Sequence, residues 1–325
     1  MRRHPRMLTK AAMGVALAAA PLALAGSTAS AAPLTINLCA VTGTATLTGS
    51  VTVPIWGFGI PATPGNCATA TASLPGPLLS INQDDDVTIN VTNALPAGHT
   101  LRFEVPGIAF NAGPVDAAAG ATVTRTFSAS APGTYGYQSG GDAGRQTAMG
   151  LYGMLIVRSS TPGQAYGTLA TAYDVEAPLV LSAVDPAFNA APDSYDMYAY
   201  TATYWLINGK AYPATAGITA TSGQRVLLRY LNAGFDNSSM ALLGMHGQVV
   251  ARDARLLNDP FFANTETLPA GGTEDEIAVL PATAPPSSHG FPLYNRQLHL
   301  ANGGQNTAPA NQPVPAGGQL TFIHS

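Results

Sequence analysis

The sequence predicts an all-β protein built from two tandem Greek-key β-sandwiches, and three observations predict it. Short runs alternate apolar and polar residues, as where Val87, Ile89 and Val91 face one way and Thr88, Asn90 and Thr92 the other. Gly, Pro, Asn and Asp separate these runs, and no amphipathic helix of useful length interrupts them. Three landmarks also recur in one order. Residues 87–94 have the frame of residues 226–233, each a strand ending in Asn-Ala; residues 119–122 correspond to 270–273; residues 133–137 correspond to 290–294. Such an order implies two copies of one domain. Pairs of antiparallel sheets are the arrangement in which strands of this kind bury one face each.

Residues 1–31 read as a secretory signal peptide. Arg2, Arg3, Arg6 and Lys10 form a basic start, residues 11–25 an apolar run too short to span a bilayer, and Ala29-Ser30-Ala31 an A-x-A cleavage site. Four of the 14 basic residues lie in this leader, which leaves ten against 18 acidic residues, a net charge of about −8. Lys210 is then the only lysine. This balance offers no basic patch for nucleic acid and suits a secreted or periplasmic protein. No later apolar stretch is long enough for a membrane-spanning helix.

The first domain is expected over residues 32–160. Its two cysteines, Cys39 and Cys67, are the only pair in the chain. In a secreted protein they most simply form one disulfide, worth roughly 3 kcal/mol on a chain-entropy estimate. The rival role, a thiolate copper ligand, lacks the His-x-Cys-His cluster it would need. Asp84-Asp85-Asp86 reads as a turn before a strand, with a calcium loop as the alternative. In the stretch from 131 to 157, Pro132-Gly133 signals a turn. Tyr135 and Tyr137 then share one strand face. The next run places Leu151, Leu155 and Val157 on one face and Tyr152, Met154 and Ile156 on the other. Residues 161–175 read as a linker and 176–325 as the second domain.

The first domain resembles the multicopper oxidases. Pro75-Gly76-Pro77, Pro132-Gly133-Thr134-Tyr135-Gly136-Tyr137 and Gly150-Leu151-Tyr152-Gly153 match that family's strand motifs. The resemblance implies cupredoxin-like sandwiches and, in an active member, copper held by four His-x-His pairs. Carried over position by position, the first pair falls on Arg102 and Glu104, in Leu101-Arg102-Phe103-Glu104, and the second on Gln138 and Gly140. Arginine stays protonated and glycine has no side chain, so neither ligates a metal. Arg102 and Glu104, two apart on a strand, are expected to point the same way and could pair with each other. Ile55-Trp56-Gly57, the Tyr137-Gln138-Ser139-Gly140 segment and Leu298-His299-Leu300 are similar to a bacterial branch of manganese-oxidising members.

Five histidines follow the leader, and none forms His-x-His or His-Cys. His246, after Gly244-Met245 on a strand-like segment and near Met240, could contribute to a Met/His copper(I) site. The plainer reading is methionine filling a core. His299 alternates as a strand residue would, and a hydrogen-bonded structural role competes with ligation. The expectation is a secreted cupredoxin-like protein without its own copper cluster, acting as a scaffold or as partner to another secreted copper protein, or self-associating. No cofactor is expected. The alternatives are a copper-dependent oxidase of phenols or metal ions, with copper at a cryptic or intersubunit site, and an extracellular binding or structural module.

Overall fold

The computed structural model describes residues 33–113, 115–303 and 316–324; the leader reading falls outside them. The alternating runs of the first half become eight strands: β1 (Pro33–Leu47), β2 (Val51–Gly59), β3 (Leu79–Asn82), β4 (Asp86–Asn93), β5 (Phe103–Glu104), β6 (Thr122–Ser128), β7 (Gly133–Ser139) and β8 (Tyr152–Arg158). One sheet has the order β2-β1-β4-β6 and the other β3-β8-β7-β5. Inward residues of both, among them Phe58, Ile89, Phe103, Phe127, Tyr137 and Leu155, form one core. Among the described residues, the helices of this half are single turns, such as α1 (Arg145–Ala148).

The second half supplies β9 (Val175–Val184), β10 (Tyr204–Ile207), β11 (Ile218–Thr219), β12 (Arg225–Asn232), β13 (Ser238–Leu242), β14 (Gly247–Arg252), β15 (Arg255–Ala263), β16 (Thr265–Leu268), β17 (Thr273–Val279), β18 (Phe291–Asn295) and β19 (Leu320–His324). Its sheets run β10-β9-β12-β17-β14-β15 and β11-β19-β18-β13-β16. Leu181, Leu228, Tyr230, Met240, Phe291 and Ile323 share its core. The all-β sandwich class expected from the sequence is the class observed.

The repeat has a physical basis. In each half the first strand lies parallel to the strand that ends in Asn-Ala: β1 on β4, and β9 on β12. The asparagine is buried and closes a knot. Asn93 Nδ2 donates to the carbonyls of His99 (2.8 Å) and Ala117 (2.9 Å), and its Oδ1 accepts from Leu95 N–H. Asn232 does the same with Asp236, Leu268 and Gly234. Gly120 and Gly271, both at positive φ, donate to the carbonyls of Asn93 (2.7 Å) and Asn232 (2.8 Å). The left-handed backbone of these turns explains glycine in both copies.

β8 is buried on both faces. Leu151, just ahead of it, and Leu155 and Val157 point into the first core, while Tyr152, Met154 and Ile156 pack on Val180 and Leu231 of the second half. On β7, Tyr135 and Tyr137 face inward, and Thr134 and Gly136 face the second sandwich. A Cβ on Gly136 would lie 2.8 Å from Leu231 Cδ1, so glycine lets the sandwiches close together. Residues 161–174 run over the second sandwich: Ala165, Tyr166 and Tyr173 cover Leu227, Val250 and Ile277.

A polar cluster crosses this seam. Arg229, 1% exposed, donates to Glu176 (2.7 Å), Asp275 (2.9 Å) and Thr134 Oγ1 (3.0 Å). Asp275 also accepts from the hydroxyls of Thr134 and Tyr166, each at 2.6 Å. Arg158 adds two hydrogen bonds to Glu176. Burial opposes ionisation of Glu176, but the Arg158 hydrogen bonds and the Arg229 charge outweigh it and hold the carboxyl below its usual range.

Candidate functional site

Cys39 and Cys67 form a disulfide, so neither offers a thiolate for copper. Asp85 of the acidic turn spends its carboxylate on the backbone N–H of Asn82 (2.8 Å), fixing the turn into β4.

The four positions matched to copper ligands lie together where β5 meets β7, with Glu104 opposite Gln138 across the pair. Arg102 does not pair with Glu104, which corrects the sequence expectation. Its guanidinium donates through Nε and Nη2 to both oxygens of Asp116 (2.7 and 2.9 Å). These hydrogen bonds hold the Asp116 carboxyl below its ordinary value. The planar guanidinium fork meets both oxygens of one carboxylate. No motif marks Asp116, which lies 14 residues away on an irregular segment.

Glu104 turns inward, and its carboxylate occupies the space beside Gly140. A Cβ on Gly140 would overlap that carboxylate. Gly140 has no positive φ, so the glycine answers to space and not to backbone conformation. Ser139, between Gln138 and Gly140, is fully buried and donates to Gln146 Oε1 (2.6 Å), while Gln146 donates to the Thr100 carbonyl (2.9 Å). This chain of bonds fixes the end of β7 onto α1.

Glu104, Gln138 and Gly140 line a cleft of about 350 Å³ at the seam. Its far wall comes from the second sandwich: Leu231, Asn232 and Phe235, with the Ala270-Gly271 turn. Tyr152 and Pro106 complete it. The sequence reading missed this wall, although the repeated Asn-Ala landmark marks its start. Among the described residues no basic side chain lines the cleft, and Glu104 is its one carboxylate.

The histidines do not converge on the cleft. His246 lies exposed in the turn between β13 and β14 and not on a strand. Met240 and Met245 are buried in the second core, so the methionines fill space there. His299 is in an irregular segment after β18, also not on a strand, and stacks on Trp205 with ring centroids 4.4 Å apart and planes 8° from parallel. Burial lowers its pKa. Among the described residues no group of three or more His, Cys, Asp or Glu is arranged to hold a metal ion. The donor set at the cleft does not fit copper: one carboxylate and one amide stand where imidazoles would be needed, and a charged guanidinium is committed elsewhere.

Among the described residues no helix is long and apolar enough to cross a membrane. A family profile described as multicopper oxidase matches residues 61–162. No curated protein is similar in sequence. The fold is similar to that of a blue copper oxidase from Nitrosomonas europaea, at 22% identity and TM-score 0.74, over 90% of this chain and 85% of that one. It is also similar to the multicopper oxidase mgLAC, at 20% identity and TM-score 0.73, over 90% and 86%. A copper nitrite reductase from N. europaea gives 18% identity and TM-score 0.68, over 90% and 94%. Residues 61–162 thus carry a multicopper oxidase-family domain, and the described chain has the two-sandwich fold of these copper proteins.

Proposed function

We propose that the protein is a secreted, copper-free cupredoxin scaffold, descended from the manganese-oxidising branch of multicopper oxidases and working beside a copper-bearing partner. The observation that carries the reading is the refilled ligand position. Glu104's carboxylate takes the space that any side chain at position 140 would need, and Arg102 is held by Asp116. A ligand side chain could return at position 140 only if the Glu104 carboxylate moved aside. The signal-peptide pattern supports export, and the acidic balance suits an exported protein.

The test is oxygen uptake by the copper-loaded, desalted protein with a phenol or Mn²⁺ as reductant. The scaffold reading expects no uptake by the protein alone. Uptake that tracks copper content and disappears on chelation would overturn it in favour of a copper-dependent oxidase.

A further inference from the structure

The seam cleft carries an inference that rests on the copper-free reading and goes beyond it. Glu104 and Gln138 are direct cross-strand neighbours, so their side chains leave the sheet on the same face. Both are half-buried and both line the cleft. Among the described residues neither side-chain carboxylate nor amide has a hydrogen-bond partner. The two cations whose charge reaches Glu104 are engaged elsewhere: Arg102, two residues before it, with Asp116, and Arg125 with the Gly113 carbonyl. Gly140 leaves the carboxylate room to sit in the wall instead of projecting into solvent.

The opposite wall has a different character. Leu231 and Tyr152 are buried, and Phe235 is 44% exposed at the rim, with its ring against Gly144. The cleft therefore pairs an acceptor-rich, negative side with an apolar, aromatic side. Its volume of about 350 Å³ falls at the lower end for small-ligand sites, which begin near ~300 Å³. With no basic side chain in the lining, an anion would meet repulsion and no compensating donor charge.

We infer that this cleft binds a small organic cation, an ammonium carried on a compact apolar or aromatic body. The ammonium would donate to the Glu104 carboxylate and the Gln138 carbonyl oxygen, and the apolar body would lie against Leu231 and Phe235. A charge-assisted hydrogen bond in a partly desolvated recess supplies the selectivity. The ring face of Phe235 at the rim favours positive charge as well.

The test is calorimetric titration of the purified full-length chain with benzylammonium, alongside benzyl alcohol and benzoate at the same ionic strength. The expected result is one benzylammonium per chain with a Kd below about 1 mM. Benzyl alcohol and benzoate bind at least about tenfold more weakly, and Glu104→Gln weakens benzylammonium about tenfold or more. Arg102→Ala, whose side chain points to Asp116 but whose charge reaches Glu104, does not weaken benzylammonium binding. Near-UV circular dichroism of each variant confirms the fold before titration. No benzylammonium binding, equal binding of benzyl alcohol, or indifference to Glu104→Gln overturns the inference. Cu²⁺ titrated alone keeps the two readings apart. Tight copper binding overturns the copper-free scaffold, whereas absence of both copper and benzylammonium binding overturns only the cation site.

Discussion

Two polar regions sit on the same seam within a few residues of each other, and they are built on opposite plans. In the Arg229 cluster each charge meets a partner: Arg229 with Glu176 and Asp275, Arg158 with Glu176, and the Thr134 and Tyr166 hydroxyls with Asp275. In the cleft, Glu104 and Gln138 face open space. A buried group that satisfies its neighbours specifies how parts fit together. A half-buried group left open is available to something else. The seam thus separates a lock from a receptor, and the two respond differently to mutation.

The largest effect is expected in the lock. Arg229→Leu removes the cation between Asp275 and Glu176; Arg158 still pairs with Glu176, but the buried Asp275 carboxylate loses its cation. A loss of about 3–5 kcal/mol in unfolding free energy follows, measured by urea denaturation. If the variant loses less than about 1 kcal/mol, the cluster is not what holds the sandwiches in register.

Next comes the refilled ligand position. Gly140→His pushes the Glu104 carboxylate aside, which the end of a flexible, half-buried side chain can do at a cost of about 1 kcal/mol or less. Glu104→Ala in the same chain should recover most of that loss, since the two changes share one volume. A double-mutant cycle reads the coupling directly. Additive effects would mean the two positions are independent, contrary to the geometry.

A third contrast concerns protons. β17 places Glu274 and Glu276 on its inward face, where burial pushes their carboxyls up to about 7 and about 8. Arg252 hydrogen-bonds Glu274 (2.9 Å) and opposes the shift, and Glu266 and Asp275 reinforce it for Glu274; for Glu276 the Glu274 charge and then Glu266 reinforce it, and Tyr230 opposes it. Both folded values lie above the ordinary 4.5, so the folded chain keeps protons that the unfolded chain has released. Their contribution is complete below about pH 4.5 and is lost as the pH rises through 7 and 8. Urea midpoints taken from about pH 5 to about pH 9 should therefore fall with pH, and Glu276→Gln should flatten the upper part of the curve. A flat profile for the unmodified chain would show that these carboxylates ionise as freely as exposed ones.

The smallest effect belongs to Arg102→Ala. Its pair with Asp116 is solvent-exposed, and the melting temperature should not move measurably.

Much of the fold was legible because its signals are local. Alternation at Val87, Ile89 and Val91 gives a strand wherever one face is buried, and the Asn-Ala and Gly landmarks mark knots that both sandwiches need. The face assignments of Tyr135, Tyr137, Leu155 and Met154 followed from the period of two. The candidate site was legible only on one side. A motif could point to Arg102, Glu104, Gln138 and Gly140, but their partners come from elsewhere in the chain. Asp116 lies on an irregular segment, and Phe235 follows a strand of the other sandwich. Alternation gives His299 strand character and the run after Gly244-Met245 gives it to His246, whereas His246 lies in a turn and His299 stacks on Trp205. The run Thr273-Glu274-Asp275-Glu276 is the sharpest case. Three consecutive acids suggest a solvated edge, yet β17 lies inside a six-stranded sheet with one face on the core and the other on the seam.

The most direct test of the refilled ligand position is the copper content of two purified proteins after copper loading and desalting. One is the unmodified chain; the other carries Arg102→His, Glu104→His, Gln138→His and Gly140→His together. The unmodified chain should retain essentially no copper, and the fourfold variant, with imidazoles restored and the Glu104 carboxylate removed, should retain more. Near-stoichiometric copper on the unmodified chain would contradict the account and establish a copper site that these four positions do not explain.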